Sequence, residues 1–145
     1  MPKVRAGWQG RYKLEKHEFY VAYHYALQYN DWLIQYNLLG NDVEGIKYDK
    51  DKVQTSPSGD TLEKTAIKRA DIRDRMELVE QTAREADPVL YPWILKAVTN
   101  EGVTYNSLRN PSHPEDKQIP CGKNMYYIKR RKFYWLLSKK LMNEK

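Results

Sequence analysis

Apolar residues recur every three or four positions along three long stretches of this 145-residue chain, and strand-like alternation is nearly absent. That spacing is the signature of helices that bury one face. From Lys13 to Leu39, the side chains of Leu14, Phe19, Tyr23, Ala26 and Leu27 fall near one face. Asn30-Asp31 interrupts the pattern and supplies a new cap. Trp32, Leu33, Tyr36 and Leu39 continue it, and Gly40 has the character of a C-terminal cap. Two helices, or one bent helix, are expected here. The alternation around Val43 to Tyr48 is too weak to predict a strand.

Residues 40–59 read as a polar loop, closed by the turn chemistry of Ser56-Pro57-Ser58-Gly59. Asp60 and Glu63 then have capping-box spacing, which predicts a helix running to about Ala86. Leu62, Ala66, Ile72, Met76, Val79 and Ala83 give this helix its apolar stripe, and its other face alternates in charge. Asp87-Pro88 restarts the chain, with Val89, Trp93, Ile94 and Val98 expected in a short buried helix, interrupted early by Pro92 and ended by Gly102. Thr104 caps a shorter one, Tyr105 to Arg109. Pro111, Pro114 and Pro120 forbid helix between 110 and 120. A last helix is expected from near Cys121 or Gly122 to about Met142. The expected fold class is thus all-α: a small multi-helix domain with a C-terminal helix-turn-helix-like unit ending in a long basic helix. Residues 1–145 read as one domain, with a loose arm over 1–12, N-terminal helices over 13–86 and the helix-turn-helix-like unit over 87–142.

Charge is segregated along the chain. Residues 117–145 carry nine Lys/Arg against the single acid Glu144, a net of +8, whereas residues 1–116 carry 16 Lys/Arg and 18 Asp/Glu, a net of −2. Such asymmetry favours phosphate backbones or acidic surfaces as partners. On the last helix Tyr126, Phe133, Leu137 and Leu141 share one face and should dock on the core. The opposite face carries Asn124, Tyr127, Ile128, Arg131 and Lys132, with Trp135 and Lys139 further along. Lys123, Asn124, Tyr127, Lys129, Arg130, Arg131, Lys132 and Lys139 are the candidate DNA-binding residues. The cations neutralise phosphates and release counterions. Asn and Arg can reach base edges.

Other chemistry finds little footing. His17, His24 and His113 are the only histidines, and His17-Glu18 lacks the second histidine of a zinc protease. Asp49, Asp51 and Asp60 do not fit a calcium loop. Cys121, the single cysteine, excludes an intrachain disulfide and a cysteine-based zinc finger. Its place at a helix N-terminus beside Lys123 suggests a lowered thiol pKa. No coherent active site or cofactor motif emerges, so a non-enzyme is expected. No apolar run approaches bilayer length, and Met1 to Gln9 does not read as a secretory signal because it has positive charge but no long apolar stretch, so a cytoplasmic protein without membrane contact is expected.

The order of these features resembles a known family. The chain has a Tyr-rich helix pair from His17 to Leu39, a loop ending Thr55-Ser56-Pro57-Ser58-Gly59-Asp60 and a long charged helix. Gly102-Val103-Thr104 and the block from Tyr126 to Tyr134 follow. It is similar to the small phage and prophage late transcription regulators of Gram-positive bacteria, the RinA/ArpU type, whose C-terminal half resembles sigma-factor region 4. The resemblance implies a helix-turn-helix that binds promoter DNA, the last helix being the reader and Asn124, Tyr127 and Arg131 facing bases. The stretch between Arg109 and Cys121 departs from the usual three- or four-residue turn. It reads as a wing, or as a spacer lifting the last helix from its partner. Double-stranded DNA is therefore the expected partner. The alternative is a protein-interaction module that grips a host protein such as RNA polymerase through its Tyr- and Trp-rich surface. A homo-oligomer is compatible with either.

Overall fold

The computed structural model describes residues 12–48 and 59–143. The expected N-terminal arm, apart from Tyr12, and residues 49–58 of the expected loop lie outside the described residues. The regular elements are helices: α1 (Lys16–Leu27), α2 (Tyr29–Tyr48), α3 (Gly59–Ala86), α4 (Tyr91–Thr99), the single turn α5 (Tyr105–Leu108) and α6 (Lys123–Asn143). No strand occurs among the described residues. The weak alternation at Val43 to Tyr48 lies inside α2.

The chain forms two compact units, one of residues 1–28 and 78–145, the other of residues 29–77. In the first, α1 packs on α4 and α6, and α4 packs on α6. The core there is aromatic. Phe19 meets Tyr134 edge to face at 5.0 Å and stacks on Tyr23 at 5.7 Å. Val79, Ala83, Ile94, Val98, Ile119, Tyr126, Phe133 and Leu137 are all buried. With two phenylalanines in the chain, tyrosines fill the space that Phe usually takes, and they bring hydroxyls inside with them.

In the second unit the expected stop at Gly40 does not occur. α2 continues through Gly40 and Gly45 to Tyr48, and the break from α1 falls at Gln28 rather than at Asn30. A glycine inside a helix costs about 1 kcal/mol relative to alanine, and here its missing side chain is used. Arg69 of α3 lies over the Tyr36 ring at 3.9 Å, donates Nε–H to the Tyr36 carbonyl at 3.2 Å, and sits where a Gly40 Cβ would come within 2.7 Å of it. Trp32, Ile72 and Met76 are buried, but Ala66 is exposed and Leu62 half-buried. The stripe of α3 therefore counts as core from Ile72 onward.

Three further expectations shift. Val89, expected in a buried helix, is 68 % exposed. Residues 88–90 form a turn, and α4 begins three residues after Pro88, which leaves Pro92 in its first turn rather than interrupting it. The Asp87 carboxylate shapes that turn by accepting the Val89 and Leu90 N–H groups, each at 2.9 Å. Gly102 adopts φ +77, the left-handed region that reverses the chain after α4. Thr104 caps α5 as expected, with Ser107 completing a reciprocal capping box. Between Arg109 and α6 the prolines do not exclude all helix: Glu115–Lys117 makes a turn of 3₁₀ helix behind Pro114.

Candidate nucleic-acid interface

α6 owes its place to both ends. Its inward face buries Tyr126, Phe133, Tyr134, Leu137 and Ser138, so the expected docking face is present, with Leu141 half-buried at its end. Its start is fixed by the segment before it. The Ile119 N–H donates to the Leu108 carbonyl at 3.2 Å, and Ile119 is fully buried. Arg109 Nη1 donates to the Ile119 carbonyl, the Tyr105 hydroxyl to the Cys121 carbonyl at 2.7 Å, and Trp93 Nε1 to the Lys117 carbonyl at 3.1 Å. The long connection is thus folded back on α5 and tied to α4. No three- or four-residue turn joins α5 to α6, and α5 is one turn long. α6 is held instead by α1 and α4.

The basic run divides between inside and outside. Lys129 Nζ faces Asp87 Oδ2 at 3.6 Å, with about a quarter of each side chain exposed. Lys140 Nζ pairs with Glu85 at 2.8 Å and donates to Thr82 Oγ1 at 3.0 Å. Arg130 turns inward beside Tyr134, its guanidinium 5.8 Å from the ring centroid. The Tyr126 and Tyr134 hydroxyls and Arg130 Nε are buried without a hydrogen bond of conventional length. The guanidinium acts on both phenols through space. Burial pushes the Tyr126 phenol up to about 12, opposed by Arg130. Burial also raises Tyr134, again against Arg130. Burial works against the charge of Arg130, but the Tyr134 and Tyr126 phenols outweigh it and raise its pKa. Tyr23 is raised by burial and by Glu101. Arg131 is half-buried, and burial lowers its pKa.

Of the eight candidate residues, Lys123, Asn124, Tyr127 and Lys139 are exposed, and Lys129, Arg130, Arg131 and Lys132 are half-buried. At about 100° per residue, Asn124, Tyr127 and Arg131 share one edge of the helix, with Lys132 and Lys139 round the side from it. The spacing in sequence showed that edge. It could not show that Lys129 and Lys140 have acids waiting on and after α3, because those contacts join distant parts of the chain.

One other expectation is corrected here. The Cys121 thiol is raised rather than lowered, by burial and by Asp87, with Arg109 opposing. It lies two residues ahead of α6, and burial, aided by Asp87, outweighs Arg109. His17, His24 and His113 are all exposed. Among the described residues no His/Cys/Asp/Glu cluster could hold a metal ion, and no helix is long and apolar enough to cross a membrane. Compared with protein-family models, curated proteins and solved structures, the chain matches none.

Proposed function

We propose that the chain binds duplex DNA through the outward side of α6 and acts as a transcription regulator of the phage type it resembles. One observation carries this reading. After Asp87 and Glu85 have taken Lys129 and Lys140, α6 still presents Lys123, Lys132 and Lys139 on a helix with no carboxylate between Lys123 and Asn143. A positive surface uninterrupted by acid suits a phosphate backbone. Asn124 and Tyr127, both exposed beside Lys123, are the groups placed to touch base edges or a phosphate. Phosphate contact dominates, and base reading is the smaller part.

Binding to a labelled duplex at a series of salt concentrations tests it. Affinity should fall steeply with salt, and replacing Lys123, Lys132 and Lys139 with alanine together should flatten the logarithmic slope by about 3. An unchanged slope in that variant overturns the assignment.

A further inference from the structure

α6 is apolar on two sides. Opposite its core face, Met125, Ile128 and Met142 are 47 %, 45 % and 54 % exposed, and Trp135 is half-buried with its ring edge-on to Tyr12 at 5.5 Å. A helix that only covers a core needs one apolar stripe. The second stripe is regular. Positions 125, 128, 132, 135, 139 and 142 step by 3, 4, 3, 4 and 3, the a and d positions of three heptads. Every d position is apolar (Ile128, Trp135, Met142), while the a positions pass from Met125 to Lys132 and Lys139. At 1.5 Å per residue the seam is about 25 Å long.

We propose that this seam docks an amphipathic helix of a partner protein that is acidic where it faces Lys132 and Lys139. Apolar d positions supply knobs for a facing helix, and Met and Trp are adaptable or large anchors. Charge selects the occupant. A second copy in parallel register would set Lys132 and Lys139 against their own counterparts. An antiparallel copy would gather the same four ammonium groups into one seam, with no carboxylate on either α6 between Lys123 and Asn143 to offset them. Glu or Asp on the incoming helix turns both lysines into charge-assisted contacts. Their alkyl stems stay on the apolar surface. This inference does not depend on DNA binding, but it calls on Lys132 and Lys139, so a docked helix and a phosphate backbone would compete for them.

The test uses the full chain and two labelled synthetic helices of about 21 residues. Both carry Leu at a and d; one has Glu at e and g, the other Lys. Fluorescence anisotropy should show the Glu helix binding at least about tenfold tighter. Ile128→Gln, which changes no charge at an exposed position, should weaken it by about tenfold while leaving helix content and duplex affinity unchanged. Lys132→Glu with Lys139→Glu should reverse the preference. Equal affinity for the two helices, or no binding of the Glu helix, overturns the proposal. So does self-association that Ile128→Gln abolishes, which would make a second copy the occupant. A loss of duplex affinity on Ile128→Gln equal to the loss of peptide binding would assign the seam to nucleic acid instead.

Discussion

Lys129 and Asp87 meet at 3.6 Å through the Oδ2 atom, while Oδ1 of the same carboxylate receives the Val89 and Leu90 N–H groups. One side chain therefore shapes the turn into α4 and holds a cation of the basic run. Lys129 belongs to the framework that carries the outward face.

Removing Asp87 should cost more than removing Lys129. Asp87→Ala deprives two backbone donors and a partly buried cation of their acceptor, and should lower unfolding free energy by about 2–3 kcal/mol. Lys129→Ala loses one partly screened pair and should cost about 1 kcal/mol or less. Asp87→Asn, which keeps an acceptor for the turn, should fall between them. Urea unfolding of the three variants checks the order, and equal losses would contradict it.

The cations of α6 should separate into two classes by substitution. Lys140→Ala should lower stability, through Glu85 and Thr82, and leave the salt slope of DNA binding within the scatter of the parent. Lys139→Ala should do the reverse, reducing the slope by about 1 at unchanged melting temperature. A Lys140 variant that binds DNA more weakly while remaining as stable as the parent would contradict the division.

Alkaline pH should destabilise the fold through Tyr126. Its phenol is pushed up from 10.0 to about 12 by burial, so the folded state holds a proton that the unfolded state gives up. Stability from this group is complete below pH 10 and declines as pH rises from about 10 to about 12. The loss is on the order of 2 kcal/mol by linkage. Tyr126→Phe should flatten that part of the stability curve, since no proton remains to be released. A curve of unchanged steepness in Tyr126→Phe would show that other groups govern the decline.

Gly40 and Arg69 should be energetically coupled. Gly40→Ala brings helix propensity worth about 1 kcal/mol but drives the Arg69 guanidinium from its place over Tyr36, a contact worth about 0.5–2 kcal/mol. The single substitution should be close to neutral. In an Arg69→Ala background the same change should stabilise by about 1 kcal/mol, and thermal unfolding of the four-member cycle reads the difference. Equal effects in both backgrounds would contradict the close approach.

The elements that sequence made legible are those with a local cause. Thr104 caps α5, Ala86 ends α3, and the 7-4-4 spacing from Tyr126 locates the docking face of α6, because periodicity and capping are properties of neighbouring residues. Gly40 misled because its local meaning is a helix stop, whereas the close approach that makes use of its missing Cβ comes from an arginine 29 positions away. The candidate interface was half legible for the same reason. Lys129 and Arg130 look outward in a run of four cations, and only the packed fold discloses Asp87 beside one and the Tyr126 and Tyr134 rings beside the other.

The ion pairs along the inner side of α6 also restrict how this sequence can drift. A substitution at Asp87 leaves Lys129 stranded, and one at Glu85 does the same to Lys140. In related chains, Asp87 and Lys129 should therefore change together, as should Glu85 and Lys140. Lys123, which lies outside the seam, answers to no fixed counterpart and is free to migrate to neighbouring positions so long as the charge presented is kept. Lys132 and Lys139 are held in register by the seam, so conservation of position will mark the scaffold and the seam, and conservation of charge alone the rest of the outward surface.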